Sequence, residues 1–420
     1  MNMRVFGLID ANSFYCSAER AFAPHLRGVP LVVLSNNDGC AIARTPEAKA
    51  LGIGMGEPWH MVQKRPECAS VEWRSSNYPL YGDMSRRMYE VLSTLVPQVE
   101  PYSIDEMFLD LTGLPHLPDL CRRIREDVRH LAKIPTCIGL GPTKTIAKLA
   151  NRMAKDDASL GGICDLRAPE HRDHAYALLP IGSVWGIGRK ANAKLASHGV
   201  TTIADFLALD PRSVRDLLTV TGARIQAELR GQSCLSLTLA PAPRQAIAVT
   251  RSFGQMMTSG RDVSQALAAF TTRAAEKLRG EGLEAQHISI FLHTNPHNGD
   301  AWYSATRSAQ IETTADTLAL ISEALRLLRA LWRPGYRYFK AGVILTDLVP
   351  RQKQTILFAS RDPERSAKAM SALDSVNARF GRGTLRPASM GLKRPWAGRQ
   401  ARHSPRYTTC VTEILIGKAF

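Results

Sequence analysis

The sequence predicts an α+β protein of several domains, and three observations carry that expectation. At 420 residues the chain is long for one domain and long enough to bury several cores. The first 165 residues alternate short apolar runs with helical patterns, and residues 246–346 follow the order βαββαβ. Between these blocks, residues 171–235 read as helical and compact, and the stretch Ala240-Pro-Ala-Pro-Arg244 reads as a linker. The expected domains are 1–170, 171–240 and 241–350, followed by a tail over 351–420.

Each element has its own signal. Residues 5–10 form an apolar run ending in Asp10, the pattern of a buried strand, and residues 30–35 form a second. Residues 45–56 read as a helix that closes in Gly52, Gly54 and Gly56. A helical pattern over 82–95 is stopped by Pro97 and Pro101. Residues 103–111 read as a strand, 118–131 as a helix, 135–140 as a strand and 143–154 as a helix. In the third block, strands are expected at 246–253, 287–293, 301–310 and 338–346, with helices at 264–279 and 314–331. From 351 onward the chain is polar, basic and punctuated by Pro and Gly.

The net charge is +16, and +10 of it lies in residues 351–420. An enzyme for small metabolites has no need of that excess, so a polyanionic partner is expected. The tail also holds Leu357, Phe358, Phe380, Trp396 and Tyr407, so it is more than a solvated charge run. The eight cysteines include no C-x-x-C pair, which argues against a zinc site and a disulfide framework and for reduced thiols in a cytosolic protein. Residues 5–9 are too few for the apolar core of a signal peptide, and nothing approaches the length of a membrane span.

Two glycine-rich stretches fall short of phosphate-binding motifs. Gly52-Ile-Gly-Met-Gly56 lacks the G-x-G-x-x-G spacing, and in Gly139-Leu-Gly-Pro-Thr-Lys-Thr145 a Thr rather than a Gly precedes Lys144. The second reads as a strand turning into a helix whose first amides are placed for a phosphate. His293 with His297, and His171 with His174, lack the partners of a metal site. The carboxylates are more informative. Asp10 ends one buried strand and Asp105-Glu106 sits in another. Such groups are costly to bury unless paired, and divalent cations pair them in oxygen-rich sites. Adjacent residues on a regular strand face opposite ways, so Asp105 and Glu106 converge only if the strand starts or bends there.

Around these carboxylates the chain resembles the Y-family translesion DNA polymerases, and within them the UmuC-type branch of the bacterial SOS response. The matching stretches are Leu8-Ile-Asp-Ala-Asn-Ser-Phe-Tyr15, Val32-Val-Leu-Ser-Asn-Asn-Asp-Gly-Cys40, Glu47-Ala-Lys-Ala-Leu-Gly-Ile53, Tyr102-Ser-Ile-Asp-Glu106 and Gly141-Pro-Thr-Lys-Thr-Ile-Ala-Lys148. Downstream, Gly381-Arg-Gly-Thr-Leu385 and Ser404-Pro-Arg-Tyr-Thr-Thr409 resemble the tail of that branch. The resemblance implies a right-hand polymerase with an α/β palm, small fingers at roughly 22–76, a helical thumb and a βαββαβ little finger. Gly186-Ile-Gly188 within 181–209 is similar to the thumb's helix–hairpin–helix, which holds backbone phosphates through main-chain amides.

Carried over by position, the resemblance implies that Asp10, Asp105 and Glu106 hold two Mg²⁺ ions, with the carbonyl of Ala11 adding a ligand. It implies that Tyr15 is the steric gate under the sugar, and that Lys49, Lys155 and Arg44 face the triphosphate with Phe14 beside the nucleotide. Pro46 interrupts the phosphate-side loop, and Arg251 is expected on the duplex. Gln354-Thr-Ile-Leu-Phe358 resembles the peptide that docks on the sliding clamp, with Gln354, Leu357 and Phe358 as its anchors. The implied activity is low-fidelity, template-directed synthesis on primer-template DNA from dNTPs, in translesion synthesis and SOS mutagenesis. The implied partners are the clamp, a processed UmuD homodimer and the RecA filament. Rival readings are a non-catalytic DNA-binding scaffold and a two-metal nuclease.

Overall fold

Strand β1 (Phe6–Ala11) is buried at every residue, and the first unit of the structure is built around it. The computed structural model describes residues 4–240, 242–351 and 362–416. These fall into two units, one of residues 4–35, 39–240 and 402–416, the other of 36–38, 242–351 and 362–401. After β1 come α1 (Phe14–Phe22), β2 (Leu31–Leu34), β3 (Ala41–Arg44), α2 (Pro46–Ala50), α3 (Trp59–Val62) and β4 (Glu72–Ser75). Then follow α4 (Tyr78–Leu95), β5 (Val99–Pro101), β6 (Glu106–Asp110), α5 (Leu117–Asp127), β7 (Thr136–Gly141), α6 (Lys144–Asp156) and β8 (Ile163–Asp165).

The central sheet has the order β5-β6-β1-β7-β8, with β1 antiparallel to both neighbours. Both faces are covered, which is why β1 and β7 read as continuous apolar runs rather than as an alternation. Ile9, Leu109 and Ile138 pack with Leu80, Met84 and Met88 of α4 and Cys121 and Ile124 of α5. On the other face, Phe6, Leu8 and Phe108 pack with Ala147 of α6. A Cβ on Gly139 would lie 2.0 Å from the Asn151 amide nitrogen, and one on Gly141 would lie 2.7 Å from that of Ala147. Glycine at these two positions lets α6 lie directly on the strands. Asn151 fastens it there, donating to the carbonyls of Leu8 (3.0 Å) and Cys137 (2.8 Å).

The small sheet β3-β2-β4 has its own core of Val32, Leu34, Ala48, Ile53, Trp59 and Val62. The helix expected over 45–56 covers only α2, because β3 precedes it and Gly52 adopts a positive φ of 72°. Pro46 is the first residue of α2, where its missing N–H costs nothing, and the Thr45 hydroxyl caps the helix by accepting from the Ala48 amide.

Helices α7 (Pro169–Leu178), α8 (Arg189–Ala196), α9 (Ile203–Ala208) and α10 (Pro211–Leu229) form the helical block around Ile181, Leu195, Ile203, Phe206 and Val214. In the second unit, β9 (Ile247–Met257), α11 (Gly260–Gly280), β10 (Leu283–Thr294), β11 (Ser304–Thr314), α12 (Thr317–Leu331) and β12 (Tyr338–Pro350) realise the βαββαβ order. The antiparallel sheet β11-β10-β12-β9 carries α11 and α12 on one face. Residues expected as an irregular tail include an eighteen-residue helix, α13 (Pro363–Phe380). Asp362 caps it, and Asp374 takes a two-pronged bond from Arg279 of α11 at 2.7 Å on each prong. The expected single tail is divided: its described residues 362–401 group with the second unit and 402–416 with the first.

Candidate active site

Asp10 and Glu106 are directly paired across β1 and β6, so both side chains stand on the face that α6 covers. The strand expected from 103 begins only at Glu106, and residues 103–105 form a bend. The Ser103 hydroxyl organises this bend. It accepts from the amides of Asp105 (3.2 Å) and Glu106 (3.0 Å) and donates to Asp105 Oδ1 (2.5 Å). The Ala11 amide in turn donates to the Asp105 carbonyl at 2.9 Å. The strand therefore starts where two adjacent acids need it to, and Asp105 is tied to the end of β1 beside Asp10.

Helix α6 supplies counter-charge from above. Lys155 Nζ forms an ion pair with Asp10 Oδ2, and Lys148 Nζ lies 2.7 Å from each oxygen of Glu106. Lys148 also sits over the ring of Tyr102 at 4.6 Å, a cation–π contact that fixes its head. Sequence reasoning quoted Lys148 within a motif and gave it no role. Its signal is helical spacing, because Lys148, Asn151 and Lys155 share the face of α6 that Asn151 binds to the sheet. Lys155, expected on a triphosphate, lies against Asp10 in this structure. The amide at the start of α6 expected to face a phosphate faces a carboxylate instead, as Thr145 donates to Glu228 Oε2 at 3.1 Å.

Burial raises the Asp10 carboxyl to about 7; Lys155 opposes the rise, and Glu106 and Asp105 add to it. Even with a lysine in contact, this carboxylate is short of positive charge. Among the described residues no three acidic, histidine or cysteine side chains converge into a finished cation cage, and lysines hold two of these acids. The donor set is nonetheless of the kind a hard divalent cation takes: three carboxyl groups from two adjoining strand ends, one of them under-compensated.

Tyr15, the second residue of α1, is half-buried and stacks on Tyr81 of α4, with ring centroids 4.4 Å apart and 17° between planes. Tyr78 meets its edge at 6.1 Å. Burial, then Tyr78 and Asp105, raise the Tyr15 phenol above its usual range. Phe14 is buried beside it, with centroids at 5.7 Å. Arg44, at the end of β3, donates to the Ile53 carbonyl at 2.7 Å, and its own carbonyl accepts from Ser13 at 2.7 Å. Lys49 is exposed on α2.

The second unit has one sheet face without helices. Cross-strand register puts Lys340, Gly342, Ile344 and Thr346 of β12 level with His293, Phe291, Ser289 and His287 of β10 on that face. Thr306 and Ser308 of β11 and Thr250 and Ser252 of β9 extend it. This surface is small, polar and free of carboxylates at those positions. Arg251 pairs instead with the buried Ala341, so it points to the helix-covered side, where it helps lower the Lys277 pKa. In the helical block, Gly186 (φ 93°) and Gly188 form the turn that opens α8, and Pro180 bridges Thr202. Gln354, Leu357 and Phe358 lie outside the described residues. No helix among the described residues is long and apolar enough to cross a membrane.

Comparison with known proteins bears directly on this geometry. Residues 9–152 match the impB/mucB/samB family and residues 244–357 its C-terminal domain, while residues 367–416 match a domain of unknown function, DUF4113. The protein UmuC of Salmonella typhimurium is 41% identical over 98% of this chain and 99% of its own length. The protein SamB of Salmonella typhimurium is 40% identical over 99% of this chain and 100% of its own. DNA polymerase IV 1 of Bacillus subtilis is 29% identical over 91% of this chain and 92% of its own. Among solved structures, a Y-family DNA polymerase chimera of Dbh and Dpo4 superposes with a TM-score of 0.69 at 19% identity, covering 83% of this chain and 100% of that one. It shares the right-hand fold of palm, fingers, thumb and little finger. This agreement along nearly the whole chain places the protein in the impB/mucB/samB family, among DNA polymerases of the UmuC type.

Proposed function

We propose that this DNA-directed DNA polymerase performs low-fidelity translesion synthesis within SOS mutagenesis, with Asp10, Asp105 and Glu106 as the ligands of two Mg²⁺ ions. The observation that carries the reading is Asp10 facing Glu106 across adjoining strands, with Asp105 folded beside them. In the reaction, the primer 3′-hydroxyl oxygen bonds to the α-phosphorus of a dNTP, the bond to the bridging oxygen breaks, and pyrophosphate leaves. The ions, when bound, supply the charge that activates the hydroxyl and steadies the leaving oxygens. The chain's own task is positioning and charge. The Ser103 bend holds Asp105 in place, and Lys148 and Lys155 lie against Glu106 and Asp10. Tyr15 bounds the sugar, Phe14 backs it, and Lys49, Arg44 and Lys155 serve the triphosphate.

In this reading residues 1–170 are palm and fingers, 171–240 the thumb, 241–350 the little finger and 351–420 a partner-binding tail with the clamp peptide at Gln354, Leu357 and Phe358. The open sheet face of the little finger, with Lys340, Thr306, Ser308, Thr250 and Ser252 on it, suits a duplex backbone. Kinship to UmuC supports a processed UmuD homodimer as partner, and with it the RecA filament, the clamp and a cytoplasmic site of action. Primer extension with Mg²⁺ opposite an abasic site tests the reading. The primer lengthens if it is right. Shortening would indicate a nuclease, and an unchanged primer with DNA still bound would indicate a scaffold.

A further inference from the structure

The C-terminal segment from Arg402 returns to the first unit and is built into it. Strand β4 is an edge of its sheet, and the segment covers that edge. Ser75 donates its amide to the Arg402 carbonyl (3.0 Å), its hydroxyl accepts from the Arg402 amide (3.1 Å), and it bridges His403 in parallel register. Arg402 lies over the Trp73 ring at 5.0 Å, and Tyr407 stacks on Phe22 at 4.9 Å with 9° between planes.

Between these anchors Ser404 enters the interior, where it is 5% exposed. Its hydroxyl donates to Glu19 Oε1 at 3.0 Å, and the Tyr81 hydroxyl donates to the same oxygen at 2.7 Å. Asn77 completes the arrangement. Its amide nitrogen donates to the hydroxyl (2.9 Å) and carbonyl (3.2 Å) of Ser404 and to the Pro405 carbonyl (3.1 Å). Its oxygen accepts from the Leu80 amide at 3.3 Å and so caps α4, the helix that carries Tyr81. Glu19, Asn77 and Tyr81 are each at most 1% exposed. A buried carboxylate needs its donors, and a tyrosine hydroxyl with one buried acceptor has its ring fixed in place. That ring is the one on which Tyr15 stacks.

We propose that the C-terminal segment is a working part of the nucleotide site: Ser404, through Glu19 and Tyr81, sets the position of the Tyr15 ring and with it the discrimination against ribonucleotides. Ser404 is a positioning residue, and the inference rests on the reading of Tyr15 as the sugar gate. It also gives part of the stretch matched by the domain of unknown function a task, since that match spans residues 367–416. The chain of contacts runs from Ser404 back to α1 and includes no hydrogen bond to Asp10, Asp105, Glu106 or α6. Loss of Ser404 should therefore alter which sugar is accepted and how tightly, and leave the chemical step almost as it was.

The test uses the full-length protein and single-nucleotide insertion of dCTP and CTP opposite template G, with kcat and KM measured separately. Ser404→Ala and Tyr81→Phe should each raise the ribo-to-deoxy insertion ratio about fivefold to tenfold, a part of what a hydrogen bond to a buried carboxylate contributes, because the effect reaches the sugar only through the Tyr81 and Tyr15 rings. The rise should appear mainly in KM. The double variant should do little more than either single one, because both changes cut the same chain. Ser404→Thr, which keeps the hydroxyl, should stay near the parent. If Tyr15→Ala loosens discrimination while Ser404→Ala and Tyr81→Phe keep the parental ratio, the inference is overturned and the gate survives. If Tyr15→Ala itself leaves the ratio unchanged, the gate reading fails and takes the inference with it. Fully additive effects of Ser404→Ala and Tyr81→Phe would also overturn it, because they would mean independent routes.

Discussion

Lys148 binds both oxygens of Glu106 at 2.7 Å, while Lys155, farther along the same helix, holds Asp10, the residue paired with Glu106 across the strands. One helix thus sets a lysine against each of two facing carboxylates that would otherwise repel each other in a partly dry site. The arrangement depends on how closely α6 lies on the sheet, and so on Gly139 and Gly141.

Lys148→Met removes the cation from Glu106 and leaves two facing acids with one lysine between them. We expect a lower melting temperature in EDTA, by roughly 1–3 kcal/mol of stability for a charge-assisted bond of this burial. Added Mg²⁺ should recover more of that loss than it gains in the parent, because a cation that binds the folded site stabilises it by linkage. Melting curves with and without Mg²⁺ check this, and an equal Mg²⁺ response in both proteins would detach Lys148 from the site.

Lys144 and Glu100 form a second ion pair, with side chains only 5% and 9% exposed, and Glu100 also accepts from the Thr238 amide at 2.8 Å. Lys144→Met strands a buried carboxylate and should cost about 3–5 kcal/mol in denaturant unfolding. Adding Glu100→Gln should recover most of that loss, because the amide carries no charge and keeps an acceptor for Thr238. A double variant no more stable than Lys144→Met alone would contradict the pairing.

Gly139→Ala puts a methyl group into the backbone of α6, with contacts of 2.0 Å to the Asn151 nitrogen and 2.3 Å to the Ala147 oxygen. Backbone cannot move aside as a flexible side chain can, so the change should destabilise the first unit by about 3 kcal/mol. Because the helix must lift, insertion activity should fall even where the protein remains folded. Gly282→Ala is the control for a glycine that meets nothing within 4 Å, although its φ of 68° carries some strain of its own. A urea titration of the three proteins ranks them.

Much of this fold is legible in the sequence, and the exceptions have physical causes. The apolar run ending at Asp10 marks β1 because burial on both faces leaves no room for polar alternation. The βαββαβ block is legible because each strand is long and each helix has one apolar stripe, although the strands extend past their expected ends by several residues. The start of β6 is not legible, since a single hydroxyl, that of Ser103, creates the bend that lets Asp105 and Glu106 work together. Helix α13 hides in a basic, polar stretch. Its signals are the Asp362 cap and the apolar pair Met370 and Leu373, both buried. Lys148 reads as an ordinary solvated lysine until the tertiary fold lays α6 over the carboxylates. Ser404 opens a stretch that resembles the tail of the branch, but nothing local signals its role, because its partners Glu19, Asn77 and Tyr81 lie at the other end of the chain.

The central claim is that Asp10, Asp105 and Glu106 together hold the metal ions that drive nucleotide addition, and Asp105→Asn tests it most directly. Asparagine keeps the size of the side chain and an oxygen for the Ser103 hydroxyl, so the bend should persist while the charge is lost. Single-turnover insertion of one dNTP, in Mg²⁺ and with DNA affinity measured in parallel, gives the answer. The account predicts a rate lower by about 10³-fold or more, several kcal/mol of transition-state stabilisation, with DNA binding nearly unchanged. Insertion at close to the parental rate by a folded Asp105→Asn protein would contradict it.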